Sequence, residues 1–231
     1  VVVFAAASLR DVFSSLGKDF EKAHPGVEVS FHFAGTQELR TQLEQGAAVD
    51  VFASADMRHM NELQGAGLVA APVVFARNEP VIVVSKESAG LVASVADLPK
   101  VSRLVVGAPE VPIGKYTQQI LEKASGSLGS NFAARVEANI VSREMNVRQV
   151  LSKVSLGEAQ AGVVYRTDAL SAKEAVGVVA IPGEMNVLAE YPIAVTQAPP
   201  HPELARAWVE LVRSEAGQKA LAAAGFLAPL P

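Results

Sequence analysis

The sequence predicts an α/β protein of two lobes, each a mostly parallel sheet flanked by helices, with a cleft between the lobes. Three observations carry this. The first third alternates strand-like and helix-like runs in the order βαβαβ, and each crossover helix returns the chain to the same strand direction. The stretch "VVFARNEPVIVVSK", residues 73–86, is β-rich and long enough to leave one sheet and enter another. "EYPIAVT", residues 190–196, reads as the strand on which the chain returns. The predicted lobes are residues 1–79 with 195–231, and residues 80–194, joined by crossover strands near 73–86 and 190–196.

Taken in order, residues 1–6 form an apolar run typical of a buried strand. In the next segment Leu9, Val12, Phe13, Leu16 and Phe20 recur at helical spacing, and Ser8 with Asp11 three residues on resembles a capping box, so a helix is expected to start at Ser8. Residues 27–33 and 49–53 read as strands, 37–45 and 56–63 as helices. Beyond the first crossover come strands at 104–106, 161–164 and 176–181, and helices at 116–123, 132–138 and 147–154. The tail, residues 202–224, reads as helical, stops at Gly225 before Pro229, and is expected to pack on the first lobe.

Composition excludes several functions. Half of the 231 residues are hydrophobic and only 19% are charged, which suits a globular core rather than disorder. The net charge of -4, with no dense Lys/Arg run, argues against a nucleic-acid surface. No apolar stretch approaches the roughly 20 residues of a membrane helix. The absence of cysteine removes thiol catalysis and cysteine metal sites, and permits export. A start inside the run Val1-Val2-Val3-Phe4, with neither Met nor signal peptide, favours a processed exported protein.

"APEVPIGKYT", residues 108–117, places a Gly-Lys pair before a helix, as a phosphate loop would. The Walker pattern fails on three counts: Gly107 lies seven residues before Gly114, the five-before position is Pro109, and Tyr116 stands where a Ser or Thr would hold magnesium. What survives is a helix start whose first N–H groups lack intrahelical partners. His24, His32, His59 and His201 show no metal spacing, and there is no G-x-S-x-G elbow. The expectation is no metal, no cofactor and no enzyme.

The strand ends are more informative. "FAAASLRD" and "HFAGTQELR" each run from a strand through small residues to a hydroxyl, Ser8 and Thr36, at a helix start. Ligands of parallel sheets collect outside the carboxyl ends of the strands, so the two hydroxyls and nearby free N–H groups suit an oxyanion.

The ordered set "FAAASL", "FAGTQELRTQLEQGAAVDVFASAD", "GAPEVPIGKYTQQIL", "NVRQVLSKVSLGEAQAGVVYRTDA" and "EYPIAV" spans essentially the whole chain and resembles the periplasmic molybdate-binding proteins (ModA type) that feed ABC transporters. The resemblance implies a type II periplasmic-binding-protein fold and a tetrahedral oxyanion held by neutral donors. Carried over by motif, Ser8 and Thr36 would each give hydroxyl and backbone N–H, Ile113 and Val147 their backbone N–H, and Tyr165 its phenol. Thr36-Gln37 and the bulky Ile113 depart from the family's usual occupants, which bears on the shape of the ligand cavity. Glu144, Asp168, Arg148 and Lys115 read as solvated charges flanking helices. The expected protein is a periplasmic or extracytoplasmic receptor, monomeric, for molybdate and tungstate, docking on a membrane permease. The alternatives are another oxyanion such as sulfate or phosphate, an enzyme on the same fold, or a sensor domain of a transcription regulator.

Overall fold

The structure, a computed structural model, describes residues 1–230. Two compact units emerge: Val1–Asn78 together with the chain from Glu190 onward, and Glu79–Ala189. Along the chain, β1 (Val2–Ala6) leads through a single 3-10 turn, Ala7–Leu9, into α1 (Arg10–Ala23). The α-helix starts two residues later than the Ser8 expected from sequence, with Leu9 rather than Ser8 in the cap position. The Ser8 hydroxyl is instead engaged by a phenol from far along the chain. Next come β2 (Ser30–Ala34), α2 (Thr36–Glu44), β3 (Val51–Ala53) and α3 (Met57–Gly65).

The stretch 73–86 holds two strands, β4 (Val73–Asn78) and β5 (Pro80–Ser85), with only Glu79 between them. They belong to different sheets. The second unit continues with β6 (Leu104–Gly107), α4 (Pro112–Leu128), α5 (Phe132–Glu137), β7 (Ile140–Glu144), α6 (Val147–Ser155), β8 (Ala161–Tyr165), α7 (Arg166–Ser171) and β9 (Val176–Ala180). The chain then returns through β10 (Ala189–Val195) to α8 (Pro202–Arg213) and α9 (Glu215–Ala223). The second division falls at 189/190, five residues before the 194/195 expected from sequence, because β10 pairs with β3 at Ile193, Ala194 and Val195. The single tail helix expected over 202–224 is two helices. Ser214 breaks it with extended backbone, and its side chain accepts from the Gly217 N–H at 3.2 Å as the cap of α9.

The first sheet runs β2-β1-β3-β10-β4, with β1 parallel to both β2 and β3 and β10 antiparallel to β3. Alternate side chains feed two cores. Phe4 and Phe52 pack with Leu39, Leu43, Met60 and Leu63 of α2 and α3. On α1 and α8, Phe13 and Phe20 meet Trp208 edge-on at 5.4 and 5.6 Å. The second sheet runs β7-β6-β8-β5-β9: its first three strands are parallel, and β5 lies antiparallel to β8 and β9. Its core gathers Ile82, Leu98, Val106, Ile120, Phe132 and Val136. No helix among the described residues is long and apolar enough to cross a membrane.

Candidate functional site

In the first unit, register builds the site. Ala6 of β1 pairs with Ala34 of β2, so Ser8 and Thr36 each stand two residues beyond matched positions on neighbouring parallel strands. Both are buried, at 3% and 1% exposure, which is costly for a hydroxyl unless it is hydrogen-bonded. Thr36 is the first residue of α2; Gly35, with extended backbone, is the cap, and its N–H donates to Glu38 Oε2 at 3.0 Å. Thr36 is therefore not the cap residue, and its Oγ1 instead accepts from the Ala55 N–H at 3.2 Å. The turn that presents Ala55 is held by Ser54, whose hydroxyl donates to the Asp56 carbonyl at 2.6 Å. Since an amide can only donate, the Thr36 proton is left for another acceptor. Ser8 Oγ lies 2.9 Å from Tyr191 Oη of β10, a residue with 0% exposure.

In the second unit the expected donors sit where parallel strands end. β6 leads to α4, β7 to α6, and β8 ends at Tyr165, directly before α7. Pro112 and Ile113 open α4, so the Ile113 N–H falls in the first turn, which has no intrahelical acceptor. Gly114 makes that close seating possible: a Cβ there would lie 1.9 Å from the Ala108 carbonyl oxygen and 2.5 Å from that of Gly107. The Gly-Lys pair is thus a packing device, and Lys115 is exposed.

Val147 opens α6 behind Asn146, whose side chain accepts from the Gln149 N–H at 3.1 Å, while Gln149 Oε1 accepts from the Met145 N–H at 3.0 Å. This cap is legible in the sequence, an Asn followed three residues later by Gln before an apolar run, but it was not read there. Tyr165 is 1% exposed, and its ring meets Tyr116 of α4 edge-on at 6.4 Å.

Three of the charges read as solvated are not. Asp168 has 0% exposure and pairs with Arg148 Nε at 2.7 Å, while Arg148 Nη1 donates to Ser171 Oγ at 3.2 Å. Glu144 is buried, accepts from Ser142 Oγ, and pairs with Lys153 at 2.9 Å. Burial pushes the Glu144 carboxyl up, but the Ser142 hydroxyl and the Lys153 ammonium outweigh it and hold it below its ordinary value. Buried carboxylates need such partners, which a one-dimensional reading of charge position does not reveal. The consequence is chemical: Glu144 and Asp168, each three residues from an expected second-unit donor in sequence, are already engaged by cations. Among the described residues no three His, Asp or Glu side chains gather as a metal centre.

Sequence reading missed Tyr191, which touches Ser8. The available signal was a Tyr in an otherwise apolar strand, "EYPIAV", whose buried hydroxyl must find a partner.

Residues 1–227 match the family model for bacterial extracellular solute-binding proteins. The chain is 43% identical over 231 residues to the molybdate-binding protein ModA of Mycobacterium tuberculosis, covering 99% of this chain and 85% of that one. Among solved structures, the periplasmic molybdate-binding protein of Azotobacter vinelandii matches with a TM-score of 0.86 at 19% identity over 100% of both chains. The sulfate-binding protein SubI of M. tuberculosis matches with a TM-score of 0.88 at 18% identity, over 100% of this chain and 87% of that one. At such identities these two structures speak for the fold alone, and it is a fold shared by proteins named for different oxyanions.

Proposed function

We propose that this chain, which belongs to the bacterial extracellular solute-binding protein family, captures molybdate, and tungstate with it, outside the cytoplasm for delivery to the membrane permease of an ABC transporter. The observation that carries the reading is the chemistry of the donor set. Ser8, Thr36, Ile113, Val147 and Tyr165 are all neutral, and all stand at the carboxyl ends of strands or the first turns of the helices that follow. Hydroxyl and amide dipoles offset a dianion without a full counter-charge, so the ligand can be released again.

The pairing of Glu144 with Lys153 and of Asp168 with Arg148 supports a fully deprotonated dianion over phosphate. Phosphate carries a proton at neutral pH and needs a spare acceptor, and these carboxylates are committed. The 43% identity to a molybdate-binding protein over nearly the whole chain favours molybdate within the dianions. The protein acts as a receptor and catalyses nothing. The two chain crossings, at 78/79 and 189/190, are where bending on capture would be absorbed.

The fold shared with a sulfate-binding protein supports a second reading, the same receptor class with sulfate as ligand. A thermal-shift panel of molybdate, tungstate, sulfate and phosphate separates the two. A ligand at 100 times its dissociation constant adds about 2.7 kcal/mol. Molybdate and tungstate are expected to raise the melting temperature; stabilisation by sulfate alone would overturn the assignment.

A further inference from the structure

We propose that Tyr191 is a positioning residue for the oxyanion: its phenol donates to Ser8 Oγ and so commits the Ser8 proton to the ligand. The inference rests on the reading of Ser8 as a ligand donor and deepens it. Ser8 Oγ and Tyr191 Oη are 2.9 Å apart and both residues are buried, so each oxygen depends on protein partners rather than water. Either atom could donate by distance alone. A phenol, with a pKa near 10, is a far stronger acid than an aliphatic alcohol and hence the better donor.

The neighbouring hydroxyl supplies a template. Thr36 stands at the matching register position, and its oxygen accepts from an amide that can do nothing but donate. Tyr191 donating to Ser8 gives both hydroxyls the same state, oxygen occupied and proton offered. The phenol is also held in place: its ring meets Phe75 edge-on at 6.4 Å and Phe226 at 5.4 Å, and β10 is anchored through its pairing with β3. A Ser8 hydroxyl fixed from behind gives up less rotational freedom when the ligand arrives. Phe226, close to the end of the described chain, thereby supports the site through one intermediary.

The test is a double-mutant cycle on molybdate affinity, measured by isothermal titration with the full chain, Ser8→Ala, Tyr191→Phe and the double variant. Tyr191→Phe is expected to weaken binding about three- to tenfold when Ser8 is present and less than about twofold when it is Ala. A purely structural role would weaken both backgrounds equally, and that result overturns the proposal, as does unchanged affinity in Tyr191→Phe. If Ser8→Ala weakens binding while Tyr191→Phe does not, only the positioning role falls. If Ser8→Ala itself changes nothing, the ligand role of Ser8 fails and the Tyr191 proposal falls with it. Should Tyr191→Phe not fold, 3,5-difluorotyrosine at position 191, titrated at a pH low enough to keep the phenol protonated, keeps the ring and hydroxyl while making the phenol a stronger donor. Tighter molybdate binding that disappears in Ser8→Ala supports the proposal, and equal affinity overturns it.

Discussion

The proposed donors of the two units are of different kinds. The first offers side-chain hydroxyls, Ser8 and Thr36, each buried and each with its oxygen already engaged. The second offers backbone N–H groups, at Ile113 and Val147, with one phenol, Tyr165. A hydroxyl can be deleted by changing one atom, so the first half-set is open to substitution at the donor itself. A backbone donor can only be moved, by shifting the helix start that carries it. In the second unit, therefore, the sensitive positions are the residues that seat the helices rather than those that donate.

The largest effect should come from unseating α4. Gly114→Val would put side-chain atoms into the Ala108 and Gly107 carbonyls, where even a Cβ comes within 1.9 Å. Stability is expected to drop by about 3 kcal/mol and molybdate affinity roughly tenfold or more, read by melting and by titration calorimetry. In the first unit the donor itself is the target. Thr36→Val should cost about 1 to 3 kcal/mol of binding, while Thr36→Ser, which keeps the hydroxyl, should recover most of it. A loss in Thr36→Ser with none in Thr36→Val would place the importance of Thr36 in its methyl group and break the contrast.

A smaller effect is expected at the cap of α6. Asn146→Ala removes the acceptor for the Gln149 N–H and should lower stability by about 1 kcal/mol, with molybdate affinity falling alongside it because the Val147 N–H is no longer held. Acid should act on both units, through Glu144 in the second and Asp50 in the first. Asp50, with 0% exposure, is pushed up by burial but held below its ordinary value by the Val2 and His201 N–H groups and the His201 ring. Its folded pKa is lowered, so its contribution is full above the ordinary carboxylate range and is lost as pH falls through the folded value. Stability should be flat on the neutral side and decline below about pH 4, and Asp50→Asn should flatten that decline. The smallest effect is Lys115→Ala, expected within about 0.5 kcal/mol in stability and without effect on ligand choice.

These contrasts track what could be read in one dimension. The βαβαβ start, the segment that holds β4 and β5, and the returning β10 were legible because apolar periodicity and length state them directly. β7 was not expected because only its first two residues, Ile140 and Val141, are apolar, with Ser142, Arg143 and Glu144 following. α7 was not expected because Ala169 and Leu170 are its only apolar residues, too few to show a helical period. At the proposed site, the helix starts that carry Ser8 and Thr36 were legible from the small-residue turns before them. Their hydrogen-bond states were not, since Tyr191 lies 183 residues from Ser8 and Ala55 lies 19 from Thr36. The same blindness to distance made Glu144 and Asp168 read as surface charges: nothing local says that Lys153 and Arg148 fold back onto them.

The position of β10 governs the order in which the molecule can be completed. It lies between β3 and β4, yet it follows every strand of the second unit in the chain. A chain emerging amino end first can close the second sheet while the first still lacks an inner strand, its β3 and β4 edges bare. The half that carries the two hydroxyls is thus the last to mature during biosynthesis.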